Sequence, residues 1–600
     1  MKPQVSEHGL DGVEIFQDLA PAERARLARE LATLTLKRGD TLVRQGETAD
    51  ALYVVVTGRF AVTIDGRREA IAEVGPGQPI GEIAFLAGGA RTATVTALRD
   101  SLVLRLGRAE FEELSAKNPS IWHTLTVTLA RRVAKTTVSR PPTPDPRPRT
   151  VAFIRAGGGA LSPVFVEALA GVFRRLHRTI LLRAAMAKEV LPEGVRLDSN
   201  EATRALNALE AGYDYLLFVA ENELTPWSEK AIRQADLVLA VGWHGADETP
   251  NALERLAADL LPPDARRLVL LHEKRAPITG TSRWLRARRV VMHHHVALDD
   301  PGDFERLYRF INGTALGLIA CGGGAYCAAH IGLYKALRHS GLTFDIMGGT
   351  SGGGAITAAF AMGHSPDDVD RAIHSIFVTN KAMRRYTWPR YSLLDHAHFD
   401  RQLAIHYAGV DIEDLWIPFF AVSTNLSSYD LHRHRHGDLW TAVRASGSIP
   451  VLLPPYYTED GHMLVDGAIL DNVPIRVMHE LKSGPNVVIS FEVPKLKRFE
   501  VDYRSLPGRG ALLKAMINPF LRRTLPVAPG IGTVLLRSLM ANRQDFERRL
   551  RPEDLLLVPS FPPDMGILDW HRHTELVDTT YRWAVSEVAR LRAEGHWVVS

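Results

Sequence analysis

At 600 residues the chain is too long for one hydrophobic core, so roughly two to four domains are expected. Its 72 basic and 68 acidic residues leave a net charge of +4, a balance that argues against a nucleic-acid partner, and no aromatic–basic array suggests one. Only Cys321 and Cys327 are available for disulfides, the N-terminus lacks a basic segment ahead of an apolar run, and no stretch reaches about 18 apolar residues; the expectation is a cytoplasmic protein whose membrane contact is peripheral, on the inner face.

Residues 1–140 open with a helix expected over Ala22 to Leu34 and continue as brief β-type runs: Thr41 to Arg44, Ala51 to Val56, Phe60 to Ile64 and Ser101 to Leu106. Glycines at 39, 46, 58, 66, 75 and 77 punctuate them, the pattern of a β-roll or barrel. A helical stripe follows over Ser120 to Thr136. Pro141 to Pro148 carries five prolines in eight residues, so 141–149 reads as a stiff linker.

Residues 150–308 alternate strands and helices, with nearly continuous apolar strands at Val151 to Ile154, Thr179 to Leu182, Tyr215 to Val219, Leu237 to Val241 and Leu268 to Leu271. Such runs belong to a parallel sheet buried on both faces, hence an open α/β domain. Gly157 to Gly159 follow the first strand, but Ser162 stands where a third fingerprint glycine belongs, and no Gly-Lys-Ser/Thr is present. The loop is read as a glycine-rich turn without a ligand. His293-His294-His295 would alternate across a strand and cannot all bind one metal, so they are read as solvated and no metal site is expected. Arg283, Arg286, Arg288 and Arg289 are likewise read as a solvated basic face.

Residues 309–600 hold the chemistry. Gly349-Thr350-Ser351-Gly352-Gly353 lies between an apolar run, Phe344 to Met347, and a small-residue segment, Gly354 to Phe360, that reads as a helix. A serine on a glycine-flanked strand-to-helix turn is a nucleophile elbow. Gly322-Gly323-Gly324 follows the strand Leu316 to Ala320 and offers converging N–H groups for an oxyanion. Asp466, in the turn Val465-Asp466-Gly467-Ala468, is the candidate base. An Asp-Gly pair alone is an ordinary turn; its weight comes from the other two motifs.

Gly322-Gly323-Gly324-Ala325, His330-Ile331-Gly332, Gly349 to Gly353, Ala442 to Ser446 with Ser448-Ile449-Pro450, and Val465 to Ala468 together resemble the patatin-like phospholipases. The resemblance implies an α/β patatin-like hydrolase domain using a Ser–Asp dyad without histidine, with Ser351 as nucleophile, Asp466 as base and a structural role for His330. Thr225-Pro226-Trp227-Ser228 and Ile232 to Asp236 resemble the middle region of neuropathy target esterase and its bacterial relatives, which place cyclic-nucleotide-binding-like domains ahead of a patatin domain. The N-terminal roll fits that architecture. Gly81-Glu82-Ile83-Ala84-Phe85-Leu86 followed by Arg91-Thr92 resembles a cyclic-nucleotide phosphate cassette, with Gly81 opening a short helix, Glu82 facing a ribose hydroxyl and Arg91 the phosphate.

What this resemblance implies is a serine esterase acting on lysophospholipids or phospholipids, with no required cofactor and a cyclic nucleotide as candidate effector. Tyr326 and Cys327 stand where the family usually has arginine and glycine, so a cyclic-nucleotide-binding regulator with a degenerate hydrolase is the competing reading. For membrane contact the candidates are the face of Ile531, Val534, Leu535 and Leu539 and the segment Ala511 to Arg523, apolar with basic ends; packing over the hydrolase core is the alternative.

Overall fold

Short apolar strands separated by glycine turns close into two antiparallel sheets at the N-terminus. The computed structural model describes residues 31–65, 70–117, 122, 147–191, 194–210, 212–491, 501–518, 521, 525–526, 528–529, 534, 546–562 and 565–595. One sheet orders β1 (Ala32–Leu36), β8 (Ser101–Gly107), β3 (Ala51–Thr57) and β6 (Pro79–Ile80). The other orders β2 (Thr41–Val43), β7 (Thr94–Ala97), β4 (Phe60–Thr63) and β5 (Ala72–Val74). Between them lie Tyr53, Val55, Phe60, Ile80 and Val103, all buried.

The expected helix over Ala22 to Leu34 is corrected at its C-terminal end, because 32–36 is strand β1. Its Ala-Thr-Leu-Thr-Leu alternation has period two, and it pairs residue for residue with β8, from Ala32 opposite Arg105 to Leu36 opposite Ser101. Residues 22–30, the helix expected over 120–136 apart from Trp122, the proline run 141–146, and Ile531, Leu535, Arg537 and Leu539 lie outside the described residues.

The same compact unit, which comprises Met1–Ala276 and Arg283–Gly313, contains a six-stranded parallel sheet. Its order is β10 (Thr179–Leu182), β11 (Tyr215–Val219), β9 (Thr150–Arg155), β12 (Leu237–Trp243), β13 (Arg266–His272) and β14 (Met292–Ala297). Both faces are covered. Phe153 packs with Phe165 and Phe173 of the helix Pro163–Leu176 on one face, and Ile154 packs with Trp227 of the helix Pro226–Gln234 on the other. That double burial is why the strands read as unbroken apolar runs.

Two solvation readings are corrected here. His294 and His295 are each 2% exposed. The His294 ring packs on Phe310, and His295 shares a hydrogen bond with His272 at 3.0 Å. Burial and the neighbouring Arg267 hold the His294 imidazole well below its ordinary range, so it is neutral. The Arg288 side chain is withdrawn from solvent too, as a two-pronged partner of Glu254 at 2.6 and 3.1 Å, whereas Arg283, Arg286 and Arg289 are exposed.

The roll and the sheet are joined by buried polar contacts. Lys230 donates to Asp100 at 2.8 Å and to Thr203 at 2.7 Å, and Arg99 grips Glu210 with two bonds of 2.6 and 3.0 Å.

The second compact unit, Pro277–Ser282 with Thr314–Ser600, is built on an eight-stranded mixed sheet. Its path runs β19 (Tyr456–Tyr457), β20 (Met463–Asp466), β17 (Phe419–Asn425), β16 (Ile346–Thr350), β15 (Gly317–Ala320), β21 (Asn486–Ile489) and β22 (Leu555–Leu557), with β18 (Asp430–His434) paired to β17. The strands from β17 to β22 along that path are mutually parallel, while β18, β19 and β20 pair antiparallel. The helix Ala329–His339 packs so closely on the helix His573–Ala593 that a Cβ at Gly332 would stand 2.2 Å from the Val577 carbonyl oxygen.

Candidate active site

Strand β16 ends in Thr350, and the chain turns directly into the helix Ser351–Ala361. Ser351 sits at the corner with φ +54°, a left-handed conformation that costs a non-glycine residue energy and survives only where its surroundings fix it. The surroundings do so. A Cβ on Gly353 would lie 2.3 Å from the Cys321 carbonyl oxygen, and one on Gly349 2.5 Å from that of Ala320, so glycine alone lets this helix sit on the end of β15. The Ser351 N–H donates to Ser446 Oγ at 2.8 Å.

Ser351 Oγ donates to Asp466 Oδ2 at 2.6 Å. Asp466 closes β20, pairs opposite Ser423 of β17, and its N–H donates to the Ser448 carbonyl at 2.9 Å. Its second oxygen accepts the Ala468 N–H at 2.9 Å. The residue is buried, and burial pushes its carboxyl up to about 6 against the lowering effect of the Ser351 and Ala468 hydrogen bonds.

Three further residues hold the pair from behind. Arg444 is buried, bonds Asp400, and donates to Ser448 Oγ at 2.6 Å, fixing the segment that carries Asp466. Ser446 anchors the Ser351 amide. Asn472 accepts the Gly322 N–H at 2.9 Å and returns a bond to the Gly322 carbonyl at 3.3 Å. Arg444, Ser446 and Ser448 lie within family-like motifs that reveal no role for them, and Asn472 lies in none, because a buried polar residue looks like any other until its partner is known.

The glycine loop lies against the serine: a Cβ on Gly322 would stand 2.9 Å from the Ser351 Cβ. Gly323 is extended, and Gly324 is left-handed at φ +58°. The Gly322 amide is held by Asn472, and those of Gly323 and Gly353 face the Cys327 sulfur, a weak acceptor. Cys321 and Cys327 are both buried free thiols. Tyr326 turns away from the serine, stacking on Phe561 with centroids 4.8 Å apart and donating to the Met565 carbonyl at 2.6 Å. His330 stacks on Phe491 and bonds the Cys321 carbonyl at 2.8 Å; burial lowers its imidazole to about 4, so it is a neutral donor behind the loop.

A cavity of about 360 Å³ is lined by Gly352, the residue after Ser351, and by the apolar Ala355, Ile356, Ile376, Phe377 and Leu403, with Asp368 and Arg371 also on its wall.

In the roll, the cassette residues come together. Gly81 is left-handed at φ +78° ahead of the short helix Glu82–Ala87, and Glu82 and Arg91 are buried. The Arg91 guanidinium donates to the Gly81 carbonyl at 3.0 Å and to the Ala51 carbonyl at 2.6 Å, while Thr92 is exposed. In the parallel sheet, the Gly157 N–H donates to the Glu254 carboxylate at 2.9 Å and the Gly158 N–H to the Asp247 carbonyl at 2.8 Å. The glycine turn is thus closed by the protein's own oxygens where a phosphate-binding loop would leave its amides open.

Residues 318–479 match the patatin-like phospholipase family, residues 33–118 the cyclic nucleotide-binding domain, and residues 149–314 the neuropathy target esterase family P-loop like domain. An uncharacterised NTE family protein of Mycobacterium bovis is 30% identical over 575 residues, covering 94% of this chain and 92% of its own. The neuropathy target esterase sws of Drosophila persimilis is 30% identical over 491 residues, 73% of this chain and 34% of the fly protein. The lysophospholipase NTE1 of Coccidioides immitis is 26% identical over 647 residues, 94% of this chain and 41% of the fungal one. The chain therefore belongs to the neuropathy target esterase family. It spans about a third of the length of the insect relatives it matches.

Proposed function

We propose that this protein is a serine esterase that hydrolyses the carboxylic ester bond of lysophospholipids or phospholipids, with Ser351 as nucleophile and Asp466 as base. The observation that carries it is the 2.6 Å bond between a left-handed, strained Ser351 and a buried carboxylate, and a cavity whose lining includes the neighbouring Gly352 offers room for an acyl chain. As Ser351 Oγ attacks the ester carbonyl, its proton passes to Asp466, whose raised proton affinity suits the transfer. The carbonyl oxygen gains negative charge and meets amides of the glycine loop, those of Gly323 and Gly324, since the third candidate, Gly322, already donates to Asn472. Collapse expels the glyceryl alkoxide, which takes the proton back from Asp466. Water then attacks the acyl-serine by the same route and frees the fatty acid, the acyl chain lying in the cavity.

The family relationship and the lysophospholipase name of the fungal relative support this reading. The domain division that goes with it is a roll over 1–140, a linker over 141–149, an α/β domain over 150–308 and the hydrolase over 309–600. No helix among the described residues is long and apolar enough to cross a membrane, and lipid is reached by peripheral contact. On the helix Arg509–Ile517, Leu512, Leu513, Met516 and Ile517 are exposed rather than packed, which supports that contact.

The roll is proposed to take a cyclic nucleotide as effector, with Glu82 on the ribose and Arg91 on the phosphate. For that, Arg91 exchanges its two backbone carbonyls for the phosphate.

The test is fatty-acid release from lysophosphatidylcholine micelles by wild type and Ser351→Ala. Release by wild type alone is expected; equal release by both removes Ser351 from the mechanism, and release by neither transfers weight to the roll as the functional domain.

A further inference from the structure

Residues 384–391, Arg-Arg-Tyr-Thr-Trp-Pro-Arg-Tyr, are eight consecutive exposed positions of the second unit. Tyr386, Trp388 and Tyr391 are 78%, 86% and 75% exposed. Large aromatic side chains dominate cores and interfaces, so three of them presented together on one loop mark a surface that is covered in use.

The backbone beneath them is well anchored. The Thr387 N–H donates to the Leu393 carbonyl and the Asp395 N–H to that of Arg385, closing a short hairpin in which Tyr386 bridges Leu394. The N–H groups of Leu393 and Leu394 then donate to the carbonyls of Val451 and Leu452 at 2.8 and 3.0 Å. Val451, half exposed and left-handed at φ +70°, adds an apolar side chain beside the hairpin base. The same segment begins at Ser448, whose carbonyl holds the Asp466 amide. A rigid base thus ties this loop to the strand that carries the candidate base.

The charge on the loop has one sign. Lys381, Arg384, Arg385 and Arg390 face no carboxylate within residues 381–394, and the three arginines form no ion pair among the described residues. Arg390 lies over the Tyr391 ring at 5.2 Å. Tryptophan and tyrosine settle at the headgroup level of a bilayer, and unpaired arginines are drawn to an anionic leaflet. A protein partner would have to supply several carboxylates on a surface shaped around three aromatics, whereas an anionic bilayer supplies both features anywhere on its face.

The geometry points to loop 384–391 as the element that seats this protein on the surface of an anionic lipid bilayer. The inference rests on the peripheral contact proposed above and adds this loop, as the charged anchor, to the exposed apolar face of the helix Arg509–Ile517.

Co-sedimentation of the 600-residue chain with vesicles tests it, using phosphatidylcholine alone and phosphatidylcholine mixed with phosphatidylglycerol. Wild type is expected to partition onto the anionic vesicles. The combined variant R384A/R385A/R390A is expected to lose about tenfold or more of that partitioning, and Trp388→Ala several-fold, with melting curves unchanged because these side chains lie outside the core. Wild-type binding that survives in both variants overturns the loop's role while leaving peripheral contact to another surface. No wild-type binding to either vesicle overturns the loop and the peripheral reading together. Trp388-dependent self-association without vesicles overturns the inference by assigning the patch to a second copy of the chain.

Discussion

Ser446 Oγ accepts the Ser351 N–H at 2.8 Å and donates its own proton to the Val422 carbonyl at 2.7 Å, so one buried hydroxyl links the Ser351 amide to strand β17. The amide of a left-handed serine points where no helix or strand partner exists, and Ser446 is what satisfies it. Ser446→Ala leaves that amide without a partner, at a cost of about 1–3 kcal/mol. The expected result is a fall of about tenfold or more in kcat with little change in KM, measured on a soluble ester.

Asp466 predicts a pH dependence of both rate and stability. Its carboxyl, pushed up to about 6 by burial, must be ionised to accept the serine proton, so kcat/KM rises with pH through about 6 and then levels. Stability runs the other way. The folded state holds this proton more tightly than the unfolded chain, so stability is greatest below about pH 4 for this group and is lost as pH rises through about 6. The loss is of order 3 kcal/mol, and Asp471, also raised to about 6 by burial, acts in the same sense. Asp466→Asn is expected to abolish hydrolysis while raising stability at neutral pH, measured by denaturant melts; a destabilised variant contradicts the account.

Gly324 tests the oxyanion loop. Its φ is +58°, and an added Cβ would stand 2.4 Å from the Ile567 carbonyl oxygen, so Gly324→Ala must shift the loop. A displaced donor costs about 10²–10³ in kcat. The pH profile of kcat/KM is expected to keep its midpoint, because Asp466 is untouched; a moved midpoint would assign the effect to the dyad.

The buried pair Lys230–Asp100 tests how the roll is held to the parallel sheet. Asp100→Ala leaves the Lys230 ammonium buried with Thr203 as its remaining hydrogen-bond partner. Breaking a buried pair from one side costs about 3–5 kcal/mol. The first thermal transition is expected to fall, and Lys230→Met in the Asp100→Ala background is expected to restore part of the loss.

Chemistry that lies along the chain was legible without the fold. The elbow around Ser351, the glycine loop at 322–324 and the turn at Asp466 each have a local pattern, since strand, turn and helix are written by neighbouring residues. Five of the six strands of the parallel sheet were equally plain, because burial on both faces leaves an unbroken apolar run, while the sixth, Met292–Ala297, was masked by its histidines. Partners far apart in sequence were decided by tertiary packing alone. Ser446 reaches Ser351, Asn472 reaches Gly322 and Arg444 reaches Asp400 across separations of 95, 150 and 44 residues, and nothing local distinguishes such a side chain from a solvated one. His294 and Arg288 look like surface charge in the sequence, yet the Phe310 ring covers the first and Glu254 pairs with the second, closing the glycine turn from within. Local pattern alone picked out the candidate reactive groups and most of the doubly buried strands. Only the fold decided what each buried polar group faces, because a buried group's charge and hydrogen bonding depend on neighbours brought in from elsewhere in the chain.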